Sequence, residues 1–285
     1  MKRKRDPRET GTVRNIILAA LLLLLLGNAG LPAYGQCAAR NDAFKSGENL
    51  TYDLFFNWKF VWIKAGYASM KTFSVPYQSK SSFRTSLVGV GSKRVDFFFK
   101  MRDTLTSIVS ENLEPLYYRK GAEEGKRYYV DEAWFHYRDG MSFVKQKKYK
   151  SWTGETIISE QSSDNCVFDM LSILLQARSF NPGDYKVGER ISFPMVTGTQ
   201  IENQTLIFRG REEFKAENDT TYKCLVFSLV EFKGKKEKEI ITFYITDDWN
   251  HIPVRLDMYL NFGSAKAFLK DIQGNRHPLS SIVKK

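Results

Sequence analysis

Asp247, Asp248 and His251 put two carboxylates and an imidazole within one short stretch, Thr246-Asp247-Asp248-Trp249-Asn250-His251-Ile252-Pro253. Such a set could hold a divalent cation. The same stretch has the composition of a turn, in which Asp and Asn side chains bond their own backbone. On sequence grounds the turn is the ordinary reading and the metal the sharper one. Asp169 and Arg178 are a second acid–base pair, expected as capping or ion-pair residues rather than catalysts. The chain has three histidines, His136, His251 and His277, in segments that read as a strand, a turn and a tail. No G-x-S-x-G, H-E-x-x-H or C-x-x-C occurs, and Gly89-Val90-Gly91-Ser92-Lys93 lacks the spacing of a phosphate loop. Residue chemistry therefore points away from an enzyme, with no cofactor and no resident metal expected.

There are three cysteines. Cys166 and Cys224 are the disulfide candidates if the compartment is oxidising. Both sit among apolar neighbours, where a buried thiol is equally natural. Cys37 falls in a segment, 36–46, expected to be mobile.

The elements that carry these residues read almost entirely as strands: 48–57, 60–75, 82–90, 101–110, 115–122, 126–137, 141–150, 189–196, 202–214, 221–232, 239–246, 253–260 and 264–272. Arg138-Asp139-Gly140 is a hairpin signal between two of them, and Gly66 marks a bulge or a close backbone approach. In Asn49–Gly66 the residues Leu50, Tyr52, Leu54, Phe56, Trp58, Phe60 and Trp62 alternate without a break, the signature of a strand face turned to an apolar environment. Tyr52, Phe56, Trp58 and Trp62 are thus candidates for lining a ligand groove. A solid aromatic core explains the same row, since burying such a side chain is worth roughly 1.5–3 kcal/mol.

One helix is expected, about 164–180, opening at Ser163-Asp164 and stopped by Asn181-Pro182-Gly183. Asp169, Ser172, Gln176 and Ser179 form a narrow polar stripe. The rest of its circumference is apolar, so the helix should be embedded. Either side of it the chain echoes itself. Gly47-Glu48-Asn49-Leu50-Thr51-Tyr52 matches Gly188-Glu189-Arg190-Ile191-Ser192-Phe193 in type, and Glu111-Asn112-Leu113-Glu114-Pro115 is answered by Asp248-Trp249-Asn250-His251-Ile252-Pro253. Two related halves, about 47–160 and 188–275, are one reading; shared turn chemistry is the other.

Lys2, Arg3, Lys4, Arg5, Arg8 and Arg14 precede the apolar run Ile16–Leu26, and small residues lead to Ala33-Tyr34-Gly35. This order is that of a secretory signal peptide over 1–35, cleaved after about Gly35; the run is shorter than the roughly 20 residues of a membrane span. Gln36 before Cys37 argues against lipidation. The rest of the chain keeps +7 of the +11 net charge, because residues 1–35 hold six basic and two acidic residues. The clusters Lys145–Lys150 and Lys233–Lys238 fit solvated hairpin ends better than a nucleic-acid site, and lysine also blunts strand edges. Contact with an anionic membrane surface is a further option.

G-E-x-L-x-Y at 47–52, Ala65-Gly66-Tyr67-Ala68, Phe168-Asp169-Met170-Leu171-Ser172 with Arg178, and Thr246–Val254 followed by Phe262-Gly263-Ser264 resemble the exported bacterial family catalogued as domain of unknown function 3108, over about 45–273. The resemblance implies an exported protein of antiparallel sheet, in the periplasm or at the outer-membrane surface, and implies no activity. In outline the pattern also resembles the open half-barrels of lipoprotein carriers, a likeness of architecture alone. The expected fold is mainly β: a curved, open antiparallel sheet or half-barrel over 47–275 with one embedded helix and a tail at 276–285. The expected function is an envelope binding or assembly module holding an apolar or amphiphilic small molecule. The alternative is an interaction module for an envelope protein, with a filled core.

Overall fold

The computed structural model describes residues 37–58, 61–93, 101–125, 127–181, 183, 185–216, 219–234, 236–260 and 263–283. The expected leader and its cleavage point lie outside them, as does the side chain of Trp58. Fourteen strands run in chain order: β1 (Glu48–Trp58), β2 (Val61–Tyr77), β3 (Lys80–Gly91), β4 (Met101–Ser110), β5 (Pro115–Glu124), β6 (Arg127–Arg138), β7 (Met141–Lys150), β8 (Glu155–Ser163), β9 (Arg190–Thr197), β10 (Gln200–Lys215), β11 (Thr221–Lys233), β12 (Lys236–Thr246), β13 (Pro253–Leu260) and β14 (Gly263–Gln273). Between β8 and β9, among the described residues, lies the α-helix α1 (Met170–Ala177).

All the strands join one antiparallel sheet, ordered β8-β7-β6-β5-β4-β3-β2-β1-β14-β13-β12-β11-β10-β9. Two meanders meet where the first strand pairs with the last, and α1 carries the chain from one free edge to the other. A sheet of this width must curl, and the curl brings its edges into contact. Gln146 Nε2 on β7 donates to the Gln200 carbonyl at 2.9 Å, and Ser159 Oγ on β8 donates to the Thr199 carbonyl at 2.8 Å. The mainly β, curved open sheet expected from the alternation is what the chain forms. Strand β8 escaped the sequence reading because, as an edge, it is largely exposed along its length and carries Glu, Gln and Ser where a core strand would carry apolar residues.

Cross-strand partners share a face, so the register traces rows across the sheet. One inner row runs Glu48, Thr72, Thr85, Ser107, Tyr118, Ala133, Gln146, all buried. The next inner row runs Leu50, Met70, Leu87, Leu105, then Lys120, Asp131, Lys148. Its first four residues pack into the cores, while the last three are charged.

The helix is shorter than expected and starts at a different cap. Residues 164–168 stay out of it because Phe168 forms a bridge with Met195, its N–H donating to the Pro194 carbonyl. Asp169 caps instead: its Oδ1 accepts from the N–H of Leu171 and Ser172 at 2.8 and 2.9 Å, and Ser172 Oγ accepts from the Asp169 N–H, a capping box. The polar stripe faces inward. Asp169, Ser172 and Gln176 are buried, while Met170 is 45% exposed. Beneath α1 the polar side meets Ser107, whose Oγ donates to Asp169 Oδ2 at 2.9 Å, while Leu171 and Leu175 pack into the apolar clusters on either side.

Two further expectations are corrected. Segment 37–46 is docked rather than mobile, with Cys37, Ala43 and Phe44 buried and the Ala39 N–H donating to the Asn112 carbonyl. Cys166 pairs with Cys37, not with Cys224, across 129 residues. Cys224 is a buried free thiol, which burial pushes up to about 12. The sheet places residue 224 mid-strand in the second meander, whereas the N-terminal segment passes the chain leaving β8. The tail is also docked, Ile282 bridging to Tyr222.

The echoed segments occupy matching turns. Gly47 and Gly188 both adopt positive φ, 91° and 89°, and each donates its N–H to the strand after next, at Thr72 and Phe208. Leu113 and His251, each two residues before a strand-opening proline, also have positive φ. At both prolines the register slips. Gly66 is both a bulge and a close approach: a Cβ there would meet the Val90 carbonyl oxygen at 2.0 Å.

Candidate functional site

The acidic turn is held by a buried polar network. Arg178 donates to both Glu48 oxygens, at 2.6 and 2.8 Å, and to the Asn250 carbonyl at 3.0 and 3.1 Å. Its guanidinium lies over the Phe44 ring. Asp248 accepts from Thr246 Oγ1, the Asn250 N–H and Ser281 Oγ, while Asp247 pairs with Arg211 at 3.1 Å. His251 Nδ1 donates to the Arg178 carbonyl, and burial lowers its pKa below the usual imidazole range. Each of the three residues read as a weak metal set is thus engaged separately, and among the described residues no group of His, Cys, Asp and Glu is arranged to hold a metal. The network ties together the start of β1, the end of α1, the β12–β13 turn and the tail.

Tyr52, Phe56 and Trp62, the groove candidates whose side chains are described, do not line one surface. Tyr52 is buried in the core with Leu50, Met70 and Leu269 and its O–H donates to the Pro253 carbonyl at 3.0 Å, with its pKa raised by burial. Phe56 is half-buried, close to Gly263. Trp58 ends β1 opposite Val61. Trp62 lies on the opposite face from Phe56: it pairs with Asn57, whereas Phe56 pairs with Ile63. The reason is the bulge at Ala65-Gly66, which offsets the alternation of β2 against β1. Strict period-two counting through Gly66 puts Trp62 on the wrong side.

A different cleft opens where the inner row turns charged. Its volume is about 170 Å³, and its walls include Tyr118, Lys120 and Asp131 on one side and Met170, Met195 and Val196 on the other. The charged wall is supplied by β5 and β6, the apolar wall by the first residue of α1 and by the end of β9. Lys148 reaches Asp131 at 3.2 Å, and the ammonium groups of Lys120 and Lys148 stand over the Tyr129 ring at 5.2 and 4.8 Å. Tyr118 is buried at the base, and burial, followed by the nearby Asp169 carboxylate, raises its pKa, so it remains a neutral hydroxyl. The arrangement can hold polar and apolar parts of one molecule side by side.

The sequence reading did not single out this cleft. The available signal was parity. Lys120 and Asp131 sit in step with Tyr118 and with Ala133 and Phe135, positions that are core, so charges were pointing inward in strands that otherwise alternate cleanly.

Comparison with known proteins agrees with this geometry at the level of fold. No curated protein matches the chain significantly. Among solved structures, a beta-barrel-like protein of domain of unknown function DUF1849 from Brucella abortus aligns with a TM-score of 0.55 and 10% identity, covering 81% of this chain and 98% of its own. A candidate exported protein with a YmcC-like fold from Bacteroides fragilis aligns with a TM-score of 0.33 and 10% identity, over 82% and 99% of the two chains. A candidate lipoprotein from Parabacteroides distasonis gives 0.29 and 9%, over 83% and 99%. The family model described as protein of unknown function DUF3108 matches residues 51–270, and the chain belongs to that family.

Proposed function

We propose that the protein is an exported envelope binding module that holds the polar head and adjoining apolar segment of a small amphiphile in the cleft between β5, β6, α1 and the β9–β10 hairpin. The observation that carries this reading is the inner row that runs from Leu50, Met70, Leu87 and Leu105 into Lys120, Asp131 and Lys148. Asp131 and Lys148 pair with each other at 3.2 Å, so the charges are held on the sheet's concave face as a polar wall. Here they face Met170, Met195 and Val196. Pockets for whole drug-sized ligands run to roughly 300–1,000 Å³, so a cleft of about 170 Å³ takes part of a molecule and leaves the remainder outside.

Export is supported by the basic lead and short apolar run of residues 1–35 and by the Cys37–Cys166 bond, which belongs to an oxidising compartment. A second reading, an interaction module with a filled core, draws on the dense packing under the aromatic row, where Tyr52 and Leu269 are buried. Mass spectrometry of organic extracts from the purified exported protein separates the two. A stoichiometric amphiphile supports the cleft; extracts with no bound small molecule, together with a copurifying envelope protein, support the interaction module.

A further inference from the structure

The adjoining ends of β1, β2, β13 and β14 lie side by side, because β1 pairs with β14. Across them runs one register row, Tyr259, Ser264, Asn57, Trp62. Tyr259 and Trp62 are each 41% exposed. Val61, Ile63 and Leu260 are exposed at the same ends; Ile63 and Leu260 occupy the intervening positions and therefore the other face. The next row on the Trp62 face is Asp257, Lys266, Phe55, Lys64. Lys266 stands over the Trp62 ring at 4.7 Å. Lys64 is bonded to Asp53 at 2.6 Å with its side chain 54% exposed, and Lys266 lies 3.9 Å from Asp257.

We infer that this edge is a membrane-docking surface that inserts shallowly into an anionic lipid interface. The order of residue types is the argument. The exposed aliphatic side chains Val61, Ile63 and Leu260 occupy one face, a tryptophan and a tyrosine share a row on the other, and lysines follow on that second face about two residues, or roughly 6–7 Å, behind. Trp and Tyr favour the headgroup level, where one part of the ring is apolar and the other wet. Lysines at that height meet anionic headgroups while their stems lie along apolar surface. A protein partner would require a shaped complementary surface but no such layering by depth. The surface is separate from the amphiphile cleft and does not depend on it.

The test is bromine quenching of tryptophan fluorescence in vesicles of phosphatidylcholine and phosphatidylglycerol brominated along the acyl chains. The full chain is suitable because none of its five tryptophans lies in residues 1–35, so an inserted leader contributes no signal. Wild-type protein should be quenched, less so with phosphatidylcholine alone or at high salt. Trp62→Phe should lose part of the quenched amplitude. Trp249→Phe should not, because Trp249 lies in the turn at the opposite end of β12 and β13. Ile63→Ser with Leu260→Ser should weaken partitioning roughly tenfold or more without lowering the melting temperature, since both side chains are already exposed. Absence of quenching, equal quenching in wild type and Trp62→Phe, or an edge that drives self-association or binds a protein instead of vesicles would overturn the proposal.

Discussion

Arg178 and Glu48 form a two-pronged ion pair across 130 residues, with side-chain exposures of 0% and 1%. Glu48 opens the first strand, Arg178 closes the helix, and Asn250 from the β12–β13 turn accepts from the same guanidinium. The G-E-x-L-x-Y segment, Arg178 and the Thr246–Val254 turn therefore meet at one structural junction. Removing one partner of a buried pair leaves the other uncompensated, so Arg178→Met should cost about 3–5 kcal/mol in urea unfolding. Arg178→Lys should not rescue it, because an ammonium cannot reproduce the planar fork. The double variant Glu48→Leu/Arg178→Met should recover part of the loss.

His251 should make stability fall on mild acidification. Its imidazole is held below the ordinary range by burial, with the Arg178 charge acting in the same direction. The unfolded residue titrates near pH 6.5. Below about that pH the unfolded chain gains a proton that the native state resists, so stability drops as pH falls through it and is level above. Asp169 acts with the opposite sign, since burial raises its carboxyl and its contribution declines as pH rises above about 4. Comparing wild type with His251→Asn, a residue that tolerates the positive φ found there, isolates the imidazole. The wild-type advantage should shrink between about pH 7.5 and pH 5 by urea titration; a constant difference would remove His251 from the account.

The Cys37–Cys166 bond closes a long loop and anchors the N-terminal segment. Cys37→Ser with Cys166→Ser should lower stability by about 2–5 kcal/mol. Cys224→Ser should leave the non-reduced peptide map unchanged, with the linked peptides containing residues 37 and 166. A 166–224 linkage in that map would contradict the structure.

The polar side of α1 faces inward, with Asp169, Ser172 and Gln176 buried. Ser172→Ala removes half of the capping box and leaves buried Asp169 groups short of a partner, so it should cost about 1–2 kcal/mol. Leu171→Ala should cost about 2–5 kcal/mol. Leu174, which is only half-buried, should fall below Leu171 rather than equal it. Thermal or urea unfolding of the three variants gives the order.

The fold was largely legible because strands that bury one face must alternate, and those from 48 to 273, β8 apart, do so clearly enough to be found. What alternation cannot carry is a change of phase. The bulge at Ala65-Gly66 moved Trp62 off the face of Phe56, and Gly66 was the visible warning. The helix start failed for a different reason. Ser163-Asp164 and Asp169 are both good caps locally, and the Phe168–Met195 bridge, a long-range contact, decides between them. Pairing of Cys166 with Cys37 likewise depends on which segments the sheet brings together. The cleft was hidden because Lys120, Asp131 and Lys148 look like ordinary surface charges until the register shows that they share a row with Leu105.

The central claim is that the charged and apolar walls of the cleft bind one amphiphile together, and calorimetric titration with a single-chain zwitterionic phospholipid, kept below its micelle concentration, tests it most directly. The wild-type protein should show saturable binding with one site. Val196→Trp, which fills the cleft from the apolar wall, should abolish it, and Lys120→Met should weaken it roughly tenfold or more, in line with the loss of a hydrogen bond to a charged group. Trp62→Phe should bind as wild type does. Saturable binding that persists unchanged in Val196→Trp, or no binding by the wild-type protein, would contradict the account.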